Sequence, residues 1–158
     1  MLSKVVIFFI VIFTSKATFS QDTEKSYDYP VKRGTSEWYS IKTYDSLRKV
    51  CQIPSAIVDK MSTGTLLKSV IDYPLLGDVF VFESFQRGLE RLAENFGAFA
   101  AILQRTDLDV TLLNEYSNWL DKNLDSASNF RKGEYSVQLS FVELLISYSF
   151  QQKKIMSA

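Results

Sequence analysis

The chain contains no histidine. That single absence removes Ser-His-Asp and Cys-His nucleophilic machinery, histidine-bearing zinc sites and histidine general bases. One cysteine, Cys51, excludes an intramolecular disulfide. It lies in RKVCQIP among apolar neighbours, so it reads as a small buried hydrophobe rather than an intermolecular bridge or a reactive thiol. Excess charge of either sign is absent as well, with 18 Lys and Arg against 18 Asp and Glu. A nucleic-acid binder needs a basic face, and nothing in this balance supplies one. There is no Gly-rich phosphate loop and no CxxC, and Asp107-x-Asp109 lacks the central Gly and terminal Glu of a calcium loop. No cofactor, metal or nucleic acid is expected, and an enzyme is not expected.

What is present begins with residues 1–20. Lys4 forms a short basic region, and Val5 to Phe13 (VVIFFIVIF) is an unbroken apolar run, followed by the more polar TSKATFS. This is the layout of a secretory signal peptide; the run is shorter than the about 20 residues needed to span a bilayer. Cleavage after Ser20, with Thr18 at the −3 site, is favoured over cleavage after Ala17, with Ser15 at −3. The alternative is an uncleaved anchor. No Cys follows the run, which argues against lipid attachment. The mature chain would be secreted or periplasmic, with no stable membrane span. It would keep 138 residues, with 16 basic and 18 acidic, enough length for one domain with a core.

Residues 21–35 are polar, carry Pro30 and Gly34, and read as a flexible lead-in to a single helical domain over 36–158. Trp38, Ile41, Tyr44, Leu47 and Val50 recur at steps of three, a helical stripe from Ser36 to about Gln52. A short helix follows from Pro54 to about Lys60. A third starts at Ser62 or Thr63, with Leu66, Leu67, Val70 and Ile71 on one face, and stops at Pro74. YPLLGDVFVF is apolar enough for a strand. A lone strand would have no partner, so a buried connector or one helical turn is favoured. A long central helix is expected from Ser84 to Gln104, with Phe85, Leu89, Leu92, Phe96 and Phe99 on its inner face. The next opens at Thr106 or Asp107 and faces inward with Val110, Leu113, Tyr116 and Leu120, with Leu112 and Trp119 alongside. Asn123 to Gly133 reads as a loop, and a last helix runs from Glu134 to Lys154 with a broad apolar face from Val137 to Ile155. The expected class is all-α: about six helices in a compact antiparallel bundle or a small stack of helical pairs.

Cys51 to Phe96 resembles a pattern in uncharacterised exported bacterial proteins. The pattern reads C-Q-I-P, M-S-T-x-x-L and Y-P-L, followed by a Gly-containing amphipathic helix. Further on, R-x-D and L-L-x-x-Y match Arg105, Asp107, Leu112, Leu113 and Tyr116. Where the pattern has Phe-Asn-Gly and then Glu-Leu, this chain has Phe96-Gly97-Ala98 and Ala101-Ile102. The resemblance spans about residues 51–116. It implies export and an all-helical fold, and it implies no activity.

The physical reading of the motif is structural: Met61-Ser62-Thr63 starts a helix and Tyr73-Pro74-Leu75 stops one. The functional alternative makes Tyr73, Asp78, Glu83 and Arg87 the rim of a groove floored by Phe80, Phe82 and Phe85. Carboxylate pairs such as Asp72 with Asp78, or Asp107 with Asp109, would suit a hydrolase, but acids at helix starts are ordinarily caps. The leading reading is therefore a non-catalytic binding or structural module for a protein or cell-envelope partner. A small-molecule or lipid carrier with an apolar interior is the alternative, and a carboxylate-based hydrolase ranks below both. The export reading has a direct check. Intact protein recovered from its native cells should have the mass of a chain beginning at Gln21, and a mass that retains residues 1–20 would mean an anchor.

Overall fold

The computed structural model describes residues 25–120, 125 and 127–156, with side chains described as far as Gln151. The leader, its cleavage site, residues 21–24, the inward placement of Ile155 and part of the loop expected before the last helix lie outside them. Among the described residues the fold is all-helical, with eight α-helices and one 3₁₀ helix rather than about six helices. In chain order, α1 is Ser36–Ser40, α2 Tyr44–Val50, α3 Ser55–Val58 and α4 Thr63–Ile71. The 3₁₀ helix follows at Leu76–Val81, then α5 Phe85–Asn95, α6 Gly97–Ile102, α7 Leu108–Leu120 and α8 Asn129–Met156.

Local hydroxyl chemistry accounts for the extra helices. The helix expected from Ser36 to Gln52 is two, because two threonines each cap their own start. Thr35 Oγ1 accepts from Trp38 N and Thr43 Oγ1 accepts from Ser46 N, and both cap residues hold extended backbone. Ahead of α1, Gly34 takes φ 86° in a turn closed by Thr35 N donating to the Lys32 carbonyl, a conformation that costs glycine nothing. Likewise Ser128 Oγ accepts from Arg131 N, so α8 begins at Asn129, five residues before Glu134, and takes in Gly133.

The expected helix Ser84–Gln104 is broken at Phe96. Ser84 caps α5 through a bond from Arg87 N, and α5 ends where Phe96 adopts φ −132°, ψ 100°. Phe96 N still donates to the Leu92 carbonyl, while its own carbonyl accepts from Phe99 N and Ala100 N at the start of α6. One extended residue thus serves as the end of one helix and the start of the next. The break turns the Phe96 ring into full burial, stacked on Tyr73 with centroids 3.9 Å apart and planes 8° off parallel. Gln52 repairs what the break leaves open. Its amide donates to the Asn95 carbonyl at 2.9 Å, and its oxygen accepts from Gly97 N at 3.3 Å.

The centre is shared between α6, within the Ser84–Gln104 segment, and α4. α4 packs against α6, α7 and α8, and Leu66, Leu67, Val70 and Ile71 are all buried. Its polar Ser69 is buried too, and its groups are paired. Ser69 Oγ donates to the Thr65 carbonyl and accepts from Tyr27 N, while Tyr29 Oη donates to the Ser69 carbonyl at 2.7 Å. This corrects the flexible lead-in over its described part: Tyr29 and Val31 are buried, and Tyr27 is half-buried against the core. An aromatic series therefore runs from Tyr27 through Tyr29 and Tyr73 to Phe96.

α7 faces inward differently from the expectation. Leu108, Leu112 and Trp119 are buried, while Val110, Leu113 and Leu120 are exposed, Val110 by 61%. The helix carries apolar residues on two sides, and polar pairing selects the rotation. Asp109 accepts from buried Ser149 of α8, and Glu115 pairs with Lys68 of α4 at 3.6 Å. On α8, Phe141, Val142 and Leu145 are fully buried, whereas Val137 is exposed.

Removing the Phe96 ring should lower stability by about 3–5 kcal/mol. Adding a methyl at Gly88 should also destabilise, by about 1–3 kcal/mol or more, because its Cβ would sit 2.2 Å from the Val79 carbonyl oxygen. Glu90→Ala, which removes only exposed contacts to Arg87 and Gln86, should stay within about 1 kcal/mol. Denaturant titration of Phe96→Ala, Gly88→Ala and Glu90→Ala ranks the three, and equal small effects would refute this packing.

Candidate functional site

Pro74 cannot continue α4, and the chain from Leu75 winds into the 3₁₀ helix, with Leu76 N donating to the Tyr73 carbonyl and Asp78 N to the Leu75 carbonyl. Three residues per turn sort its side chains into rows. Leu76 and Val79 are buried, while Asp78 and Val81 share an outward row. α5 then returns across the 3₁₀ helix at Gly88, where the missing side chain permits the close approach to Val79. α2 covers the other side.

Between these three elements lies a surface cleft of about 500 Å³. Its floor is Tyr73, Leu75, Val79 and Leu92, which are buried. Val81 and Phe82 stand at its edge, exposed by 76% and 39%. The polar rim comes from α2 (Tyr44 and Arg48), α5 (Arg91 and Asn95) and Asp78. Tyr44 Oη donates to Asp78 Oδ2 across the cleft. Arg48 lies over the Tyr44 ring, 5.3 Å from its centroid, and donates to Asn95 Oδ1 and Asp45 Oδ1. Arg91 pairs with Glu94 at 2.7 Å.

Partial removal from water, followed by the hydrogen bond to Asp78 and its negative charge, pushes the Tyr44 hydroxyl up to about 12. Burial likewise raises Tyr73 on the floor, and it raises the thiol of Cys51, which is buried beneath α2 and does not line the cleft. Hydroxyls raised in this way are not poised for proton transfer near neutral pH. The cleft can grip an apolar group and meet its polar end.

The residues singled out by sequence are dispersed. Tyr73 is floor rather than rim, Asp78 is rim, and Phe82 is edge. Phe80 packs against the core and meets Phe85 edge-to-face at 5.7 Å. Glu83, half-exposed Phe85 and Arg87, which pairs with Glu90 at 3.3 Å, do not line the cleft. Sequence reasoning missed Tyr44, Arg48, Arg91 and Asn95. The i, i+4 spacing of Tyr44 with Arg48, and of Arg91 with Asn95, was the signal that each pair shares a helix face. Of the candidate catalytic acids, Asp78 stands at the cleft and Asp72, Asp107 and Asp109 are bonded elsewhere. Asp107 accepts from Thr63 Oγ1 at 2.8 Å, Asp72 accepts from Ser26 Oγ, and Asp109 accepts from Ser149. Among the described residues, no three His, Cys, Asp or Glu side chains gather as a metal site, and no helix is long and apolar enough to cross a membrane.

No family model, no curated protein and no solved structure matches the chain.

The Tyr44–Asp78 pair gives a pH prediction. Tyr44 keeps its proton to a higher pH when folded than when unfolded, so the folded state binds more protons in that interval. Its contribution to stability is complete below pH 10 and is lost as pH rises from 10.0 through about 12. Asp78→Asn should shift the Tyr44 titration back toward 10.0, as read by tyrosinate absorbance against a Tyr44→Phe blank. An unchanged titration would show that the carboxylate does not act on this hydroxyl.

Proposed function

We propose that the chain is an exported, non-catalytic helical domain that binds a protein partner in the cell envelope through the cleft between α2, the 3₁₀ helix and α5. The observation that carries the reading is the contrast between a filled core and an open, apolar-floored surface cleft. Phe96, Phe99, Phe141 and Leu112 are fully buried, whereas Val81, Phe82 and Tyr44 stand exposed around the cleft. A carrier would enclose its ligand in the interior, and a partner-binding module leaves apolar groups at its surface. The signal-peptide layout of residues 1–20 supports export, and the resemblance over residues 51–116 points the same way. We also favour an antiparallel bundle over a stack of helical pairs. Contacts between Asp109 and Ser149, Tyr116 and Glu143, and Trp119 and Tyr135 support it for α7 and α8.

Site-specific photocrosslinking tests the reading. A benzophenone side chain is placed at position 82, beside the cleft, or at exposed position 137 on α8, and the full chain is irradiated in its native cells. A discrete adduct from position 82, absent from 137, is the expected result. Identical adducts from both positions, or none from 82, would overturn it.

A further inference from the structure

The two walls of the cleft differ in chemistry in a way that selects its occupant. On the α2 and α5 side, Arg48, Arg91 and Asn95 all line the cleft, with Arg48 reaching across to the Asn95 side chain. On the 3₁₀ side stands Asp78, whose carboxylate accepts the Tyr44 hydroxyl and retains further acceptor positions. Between them lies the buried apolar floor of Tyr73, Leu75, Val79 and Leu92.

We infer that the cleft takes the C-terminal end of a partner polypeptide, with a last aromatic or aliphatic side chain on the floor and the terminal carboxylate between Arg48 and Arg91. This rests on the docking reading above and names the chemistry of its partner. The charged companions of the two guanidiniums are Asp45 and Glu94, each three residues away on its own helix and solvent-exposed, and Arg48 also holds the neutral Asn95 side chain. Exposed pairs of that kind stabilise little, so exchanging them for a ligand carboxylate in a partly dry cleft is favourable. A terminal residue carries its carboxylate and its side chain on one carbon, which matches a cationic wall standing directly over an apolar floor. An internal Asp or Glu would place a charged side chain where the floor needs an apolar one. Asp78 then accepts from a backbone N–H of the incoming chain, and exposed Val81 and Phe82 extend the apolar surface for the residue before it. A long-chain fatty acid would satisfy the guanidiniums too, but this open cleft would leave much of its chain in water, whereas a lipid site encloses most of its ligand.

The probes are the pentapeptide acetyl-Gly-Ser-Thr-Leu-Phe with a free carboxylate, its C-terminal amide twin, and dodecanoate. Each is titrated into the full-length mature chain, with backbone amide shifts as readout. The acid peptide should shift amides of α5 and the 3₁₀ helix, and the amide should bind about tenfold more weakly, the size of a lost charge-assisted contact. Arg91→Gln and Arg48→Gln should each reduce the acid peptide to the amide's affinity, and Arg91→Lys should restore part of the difference. Arg87→Gln, outside the cleft, should leave it unchanged. Equal binding of acid and amide would overturn the inference, as would dodecanoate competing at equal or lower concentration. If the peptides fail while the position-82 adduct forms, the C-terminus inference falls and the docking reading stands. If the acid peptide binds selectively and no adduct forms, the cell-envelope docking reading falls alone.

Discussion

At Phe96 the backbone leaves the helical region for a single residue, and its ring lies flat on Tyr73. Had α5 continued as a helix, the Ser84–Gln104 segment would be one straight rod, with Phe96 merely one member of its apolar stripe. The break instead sends Phe96 into the core and lets α5 and α6 take different directions. α6 then packs on α3 and α4, while α5 lies across the 3₁₀ helix. The cleft lies on the α5 side of the break, between α5, the 3₁₀ helix and α2, and Tyr73, the stacking partner, is part of its floor. Burial of two large rings is the driving term. Gln52 makes the break affordable by pairing the carbonyl and amide on either side of it.

A chain with no disulfide must hold its elements by core packing and by polar cross-links, and the motif residues supply the latter. Asp107 accepts from Thr63 at the start of α4, and Arg105 donates to the Val58 carbonyl at the end of α3 at 3.2 Å. The R-x-D and M-S-T segments, more than forty residues apart, therefore meet as one joint. Partly buried hydrogen bonds of this type contribute about 1 kcal/mol each when made. The same economy explains Ser69 and Tyr29. These acids and hydroxyls are engaged in joining the elements of the fold.

That rim is a small electrostatic arrangement. Tyr44 holds Asp78, Arg48 stacks on Tyr44, and Asn95 ties Arg48 to α5. Side chains whose charges remain at the surface thus link α2 to the 3₁₀ helix and to α5, both distant from it in sequence. The surface presents cations on α2 and α5, an acceptor on the 3₁₀ helix and apolar residues between them.

Helical class, the turn at Pro74, and helix starts at Ser62 or Thr63 and at Ser84 were legible in the chain, because hydroxyl caps and missing prolyl N–H groups act within four residues. The buried state of Cys51 was legible from its apolar neighbours. Within the cleft, Tyr73, Asp78 and Phe82 could be named beforehand, since the 3₁₀ segment is dense in such residues. Tyr44, Arg48, Arg91 and Asn95 could not, because their convergence depends on how α2 and α5 cross the 3₁₀ helix. For the same reason the inward face of α7 was misjudged: its sequence offers two apolar sides, and only Asp109 meeting Ser149 and Glu115 meeting Lys68 chooses between them. Residues near in sequence determine where helices begin and stop. The break at Phe96 was decided by Tyr73, twenty-three positions earlier, since stacking energy exists only once the two rings are brought together.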